Sequence, residues 1–212
     1  MKSPTSEMVC FWGPPGSGKS TLLAADAVAF KNAGYKVYTS GVHIKGVPYY
    51  DLSLADLNIW PAAGSILLID ESGLELNNQT VLSDAARQFF KLYRHNADEN
   101  REMTIFYYSQ SFEDTNIVLR RLTVKYFYLR KFWRFTLVYP MLQKPCIKPF
   151  VPGAGLLDPN RGYGEVMTGF KFGSVFSRGF RVLYRPVAYA YFNTHVLPKG
   201  IKVLDYEEVE DD

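Results

Sequence analysis

The chain has 212 residues, 47% of them hydrophobic and 21% charged, an ordinary composition for one globular core. No run approaches the roughly 18 to 20 uninterrupted apolar residues that a membrane span needs, and the start from Met1 to Glu7 lacks a signal-peptide pattern. The net charge of +3 is uneven: residues 205–212 hold six acids and no base, leaving 24 bases against 15 acids, or +9, in the remainder. A basic body with an acidic tail is compatible with handling nucleic acid and equally with many other roles. The tail is expected to be disordered. Cys10 and Cys146 have no metal-like spacing, so Cys10 reads as a small buried thiol in a reducing cytoplasm.

In chain order, Met8-Val9-Cys10-Phe11-Trp12 is a short apolar run that predicts a buried strand. Gly13-Pro14-Pro15-Gly16-Ser17-Gly18-Lys19-Ser20 then completes G-x-x-x-x-G-K-[ST], and Ser20 to Phe30 is rich in helix formers. Strand, glycine loop and helix are the context this phosphate-binding motif requires. Glycines let the backbone fold around an anion without side-chain clash, and the loop N–H groups and helix N-terminus face it. Gly13 to Ser20 together with Thr21 are therefore the expected nucleotide-binding residues. Lys19 is expected to reach the β- and γ-phosphates and Ser20 to ligate Mg²⁺.

Ala33-Gly34 suggests a helix stop, and Tyr35 to Ser40 a second strand. Asp51 to Ile59 suggests a short helix ended by Trp60-Pro61. Ile66-Leu67-Leu68-Ile69 is a continuous apolar run of the kind covered on both faces, followed by Asp70-Glu71. Asn78 or Thr80 is expected to cap a helix running to about His95, with Val81, Ala85, Phe89 and Leu92 on one face. Met103 to Gln110 predicts a further strand. Val124 to Arg130 and Phe132 to Tyr139 suggest an antiparallel pair turning near Lys131, Pro140 to Gly179 is loop-rich, and Val187 to Phe192 suggests a last strand or turn. Alternating strands and helices imply a mainly parallel layered sheet with its ligands at the C-terminal strand ends.

Asp70, at the end of its strand, is a candidate to orient Mg²⁺, and Glu71 to polarise an attacking water. Gln110, closing the next strand, is a candidate to sense the γ-phosphate or orient that water. Asp70-Glu71-Ser72-Gly73 also satisfies the D-x-x-G of GTP-binding switches, but no guanine-selecting N-K-x-D follows. A small-molecule phosphotransferase would need an acceptor pocket and an Arg-rich lid, neither of which the sequence places. The basic, aromatic stretch Lys125 to Arg134 reads either as an ordinary strand pair or as a surface for stacked bases and phosphates. Lys144 and Lys148 in the Pro-rich arm are alternative phosphate contacts.

Four features in order resemble one family: Gly13 to Ser20, Ile66 to Gly73, Phe90-Lys91-Leu92-Tyr93-Arg94-His95, and Tyr108-Ser109-Gln110-Ser111-Phe112 with Asp114 and Leu119-Arg120. Together they resemble the zonular occludens toxin-like (Zot-like) ATPase domain, a branch of the FtsK/HerA superfamily, over about residues 8–131. Tyr191 to His195 weakly resembles the domain's closing segment. The resemblance implies an α/β P-loop fold of the additional-strand type with an antiparallel, loop-rich extension. It also implies a Mg²⁺-dependent ATP-driven motor, working on viral DNA as a homo-oligomeric ring in the host cytoplasm, with contacts to capsid or coat proteins. Arg94 and Arg120 match the family's arginine positions and are the candidates to reach a neighbour's γ-phosphate; Arg87 and Arg121 lie close by. Filamentous-phage members continue into a transmembrane helix and a periplasmic part. This sequence holds neither, which shifts the expectation from extrusion at the membrane toward packaging.

The expectation is one ATPase domain over residues 1–204, with its nucleotide core at about 8–131, its extension at 132–204 and the acidic tail at 205–212. Its expected work is packaging or translocating viral DNA. The alternatives are an assembly factor acting on coat proteins at the membrane and, below that, a monomeric P-loop kinase.

Overall fold

The computed structural model describes residues 6–50, 53–55, 57, 59–70, 72, 76–77, 79–99, 101–111, 115–142, 146–149, 165–168 and 171–192. Glu71, Asn78, the segment from Asn193 onward with the acidic tail, and the side chains of Lys148 and Cys146 lie outside this description, as does Lys144. Among the described residues nine strands run in chain order: β1 (Met8–Trp12), β2 (Val37–Ser40), β3 (Ile66–Ile69), β4 (Thr104–Ser109), β5 (Lys125–Phe132), β6 (Phe135–Pro140), β7 (Cys146–Pro149), β8 (Glu165–Thr168) and β9 (Arg181–Tyr184). The helices are α1 (Lys19–Asn32), α2 (Asp84–Leu92) and α3 (Ile117–Leu122), with 3-10 helices at Tyr93–His95 and Arg185–Ala190.

Seven strands form one sheet in the order β2-β3-β4-β1-β5-β6-β9. The first five are parallel, and β6 and β9 are antiparallel additions. β4 therefore sits between the strand that leads into the glycine loop and the strand that ends in Asp70. β7 and β8 pair antiparallel in a second, two-stranded sheet.

β1 and β3 are apolar along their whole length, and β4 between its terminal Thr104 and Ser109, as suits strands covered on both faces. Successive side chains alternate between two cores. Met8, Cys10, Leu67, Ile69, Ile105 and Tyr107 pack on one side with Ala86, Phe89 and Phe90 of α2. Val9, Phe11, Ile66, Leu68 and Tyr108 pack on the other with Leu22, Leu23, Ala24 and Ala27 of α1. Register lines up aromatic rows across β4-β1-β5. Phe11 faces Tyr108 and Phe127 in register and stacks on both, at 4.9 and 5.0 Å; such offset pairs add to the area they bury. On the opposite face Cys10 lies between Tyr107 and Tyr126, and Tyr126 donates to the Arg120 carbonyl at 2.9 Å.

Several expected details shift. The helix expected from Asn78 or Thr80 begins at Asp84, because the Ser83 hydroxyl accepts the Ala86 N–H at 3.1 Å and caps it. Its buried side chains are Ala86, Phe89 and Phe90, whereas Val81 is 81% and Leu92 44% exposed. The phase is thus one residue later than the Val81, Ala85, Phe89, Leu92 set, and Phe89 alone is common to both. The described part of 51–59 is turn rather than helix, with Leu57 at φ 37°. The β5-β6 turn falls at Trp133-Arg134 rather than Lys131, with Trp133 at φ 49°. Val187 to Phe192 is neither strand nor simple turn but lies in and just after a 3-10 helix. Among the described residues no helix is long and apolar enough to cross a membrane.

Burial raises the Cys10 thiol from 9.0 to about 12, outweighing its hydrogen bond with Tyr107. Burial likewise holds the Tyr107 and Tyr108 phenols well above 10.0. Below pH 9 all three are protonated in both folded and unfolded chains, so their contribution to stability is intact. Above it the unfolded chain loses protons that the native core retains, and stability drains away from about pH 9 toward 12. The urea midpoint is expected to hold up to about pH 9 and to fall progressively from there toward pH 12. A flat profile would contradict the protonated core.

Candidate nucleotide-binding site

The glycine loop emerges from β1 and is held at three points. The Gly13 N–H donates to the Ser109 carbonyl at the end of β4 (3.3 Å), Ser17 N–H to the Pro14 carbonyl (3.1 Å), and Leu22 N–H to the Gly18 carbonyl (2.9 Å). Gly16 and Gly18 take φ of +73° and +96°, left-handed values that only glycine adopts readily. Gly18 caps α1 without a side-chain hydrogen bond, and no acid occupies the first turn of the helix. The helix N-terminus therefore presents its N–H groups and positive dipole end to the loop.

Lys19 is 7% exposed and folds back over the loop, its Nζ donating to the Gly13 and Pro14 carbonyls at 2.8 and 3.1 Å. A cavity of about 760 Å³ opens beside it, lined by Pro15, Gly16, Gly18, Lys19, Ser20 and Thr21. That is room for a nucleoside triphosphate. A Cβ built on Gly16 meets nothing within 4 Å, so the loop backbone faces open space there. Gln110, just past β4, lines the same cavity. Gly13 and Ser17 are buried in the loop's base.

Strands β5 and β6 press on the loop from behind. Thr136 of β6 is fully buried and donates its hydroxyl to the Ser17 carbonyl at 2.9 Å. A Cβ on Gly18 would lie 2.1 Å from that hydroxyl oxygen, and one on Gly13 would lie 2.5 Å from the Leu129 carbonyl of β5. The far end of the sheet is tied to α1 as well. Asp26 of α1 pairs with Arg181 of β9 and accepts the Tyr108 hydroxyl at 3.3 Å. Burial alone would lower Arg181, but Asp26 outweighs it and holds the guanidinium above its ordinary value.

Asp70 closes β3 at 7% exposure, its N–H bonded to the Ser40 carbonyl at 2.8 Å, and is not among the residues lining the cavity. Ser20 lines the cavity, while Asp70 ends β3, separated from β1 by β4; a hydroxyl and a carboxylate are the hard oxygen donors that a cation such as Mg²⁺ takes. Arg94 is exposed on the 3-10 helix after α2, its Nε donating to the Tyr93 hydroxyl at 3.3 Å. Arg120 is 5% exposed inside α3. Neither lines the cavity. Arg87 and Arg121 share a different groove, between α2 and α3.

The cavity is also lined by Arg185 and Tyr189, which no motif marks, and by Phe192, which falls within the weak resemblance to the family's closing segment. They lie far along the chain from the loop, in a segment with no phosphate-binding pattern. Only the return of β9 to the sheet brings them near.

A glycine loop after β1, an acid ending β3 and an extra strand between them define a P-loop nucleoside-triphosphate fold of the additional-strand type. The chain is similar to the N-terminal domain of zonular occludens toxin from Neisseria meningitidis, with a TM-score of 0.50, 15% identity and coverage of 90% of this chain and 100% of that one. The fold expected from the order of the motifs, the Zot-like P-loop fold, is the fold found. The chain also aligns with the genome packaging NTPase B204 from Sulfolobus turreted icosahedral virus 2, solved with ATP-gammaS (TM-score 0.49, 13% identity, 64% of this chain and 92% of that one). A third alignment is with the flagellar accessory protein FlaH from Methanocaldococcus jannaschii (TM-score 0.43, 14% identity, 65% and 78%). No sequence-family profile and no curated protein matches the chain.

The crowding at Gly18 yields a direct test. Gly18→Ala is expected to destabilise the chain by about 2 kcal/mol or more, through left-handed strain plus collision with Thr136. Because the two residues touch, adding Thr136→Ala should cost less than the sum of the single changes in urea denaturation. Strict additivity would contradict the contact.

Proposed function

We propose that this chain is a Mg²⁺-dependent ATPase that powers packaging or translocation of viral DNA during virion assembly, one copy in a homo-oligomeric ring in the host cytoplasm. The observation that carries the nucleotide part is the cavity of about 760 Å³ lined by the glycine loop, Lys19, Ser20 and Gln110. In this reading the loop N–H groups, with Lys19, bind the phosphates. Ser20 and Asp70 hold Mg²⁺, which when bound neutralises charge on the β- and γ-phosphate oxygens. Gln110 orients the attacking water, and Glu71, next after Asp70, accepts its proton. Of the two arginines that match the family, the exposure of Arg94 favours it over buried Arg120 as the group offered to a neighbouring subunit.

Two observations support DNA as the partner. One is the order of motifs that resembles the Zot-like ATPases. The other is the tip of the β5-β6 hairpin, where Phe132 and Trp133 are 63% and 70% exposed and Arg130, Lys131 and Arg134 are exposed beside them. The base of that hairpin is core, with Leu129, Thr136 and Val138 fully buried. Within Lys125 to Arg134 the buried Tyr126 and Leu129 fit the strand-pair reading, and the exposed tip supports the surface reading. Exposed rings flanked by cations suit unpaired bases and phosphates.

ATP turnover of the intact chain, measured with and without single- and double-stranded DNA, tests this. Lys19→Ala is expected to abolish ATP binding, and Glu71→Gln to keep binding while lowering turnover about 10²–10⁴-fold. DNA is expected to raise turnover at low salt, with the effect fading as salt rises. Undiminished hydrolysis in Glu71→Gln would remove its role as base, and turnover indifferent to DNA at every salt concentration would remove the motor.

A further inference from the structure

Beside the glycine loop, the cavity is lined by Arg185, Tyr189 and Phe192 from the end of the described chain. We infer that this segment is the second half of the nucleotide site, supplied by the same subunit: Arg185 contacts the phosphates, and Tyr189 with Phe192 forms an aromatic platform for the base. The inference deepens the nucleotide reading above and rests on it.

The segment is fixed to the body that carries the loop. Arg185 N–H donates to the Arg134 carbonyl at 3.0 Å, and Lys45 N–H to the Tyr191 carbonyl at 2.8 Å. Ala188, 1% exposed, is buried in the same core cluster as Leu22 and Leu23 of α1. A wall held this way needs no neighbouring subunit to complete it.

Arg185 lies across the loop itself. Its Cδ would be 3.2 Å from a Cβ on Gly18, at the turn where α1 begins. One terminal nitrogen donates to the Trp133 carbonyl, while Nε is buried and makes no hydrogen bond. A guanidinium has five N–H donors in a fixed fork, and a buried unused donor is costly. Among the described residues no carboxylate lines this cavity to answer that charge. A phosphate anion would, in the geometry guanidinium forks favour.

Tyr189 lies four residues further on and is 50% exposed, although its helix is packed down through Ala188. Phe192 is partly buried against the α1 core and lines the cavity with it. Two rings beyond a phosphate-binding end match a ligand that carries charge at one end and a flat heterocycle at the other, a nucleoside triphosphate. Stacking of a base on an aromatic ring does not require hydrogen bonds to its edge.

Calorimetric titration of the intact chain with Mg·ATP and with inorganic tripolyphosphate separates these roles. Tyr189→Ala is expected to weaken ATP binding about 10-fold and to leave tripolyphosphate binding unchanged, and Tyr189→Phe to restore ATP binding. Arg185→Ala is expected to weaken both ligands about equally, by 10-fold or more. Unchanged affinities in both variants, or a Tyr189→Ala loss that is the same for both ligands, would overturn the inference while leaving the nucleotide reading intact. A wild-type chain that binds neither ligand would overturn both.

Discussion

The contact on which the rest of this structure depends is the one between Gly18 and Thr136. The glycine loop reaches its shape only because residue 18 has no side chain, and the space that side chain would fill is taken by a strand from the antiparallel half of the sheet. The loop is therefore a seam. On one side the parallel strands β2, β3, β4 and β1 deliver the end of β1, the end of β4 and the end of β3 to a common edge. On the other, β5 and β6 press the loop outward with a carbonyl and a hydroxyl. Asp26, Arg181 and Tyr108 then bind α1 to the outer strand and to the sheet beneath it.

This arrangement gives the antiparallel extension a role beyond filling out the sheet. Without β6 the loop would lack its backing, and without β9 the 3-10 helix carrying Arg185 and Tyr189 would have no route to the mouth of the cavity. The parallel half supplies groups suited to phosphate and metal, and the extension supplies a cation and aromatic rings. Positive dipole, buried lysine and arginine all converge on one volume, as binding a highly charged ligand requires.

What could be read in the sequence divides along the same seam. β1, α1, β3 and β4 were legible because local pattern dictates them: Ile66 to Ile69 must be buried on both faces, and Gly13 to Ser20 can do little but wrap an anion. The phase of α2 was not, since an exposed apolar pair, Val81 and Leu92, mimics a helical face while the capping strength of Ser83 decides where the helix starts. α3, only six residues long, has too short a period to register. Gln110 was legible as a strand end beside the loop. Arg185 and Thr136 were not, because nothing local marks them; their positions follow from strand order, a property of long-range pairing. Exposure separates Arg94 from Arg120, which motif spacing alone left equivalent.

The most direct check on this account is hydrogen exchange of the intact chain, resolved by peptide, with and without a slowly hydrolysed ATP analogue and Mg²⁺. The account predicts slowed exchange in the loop and first turn of α1, Ser17 to Thr21, and at Gln110, with the α2-α3 groove unchanged. Protection confined to that groove, or no change at the loop under saturating ligand, would contradict it.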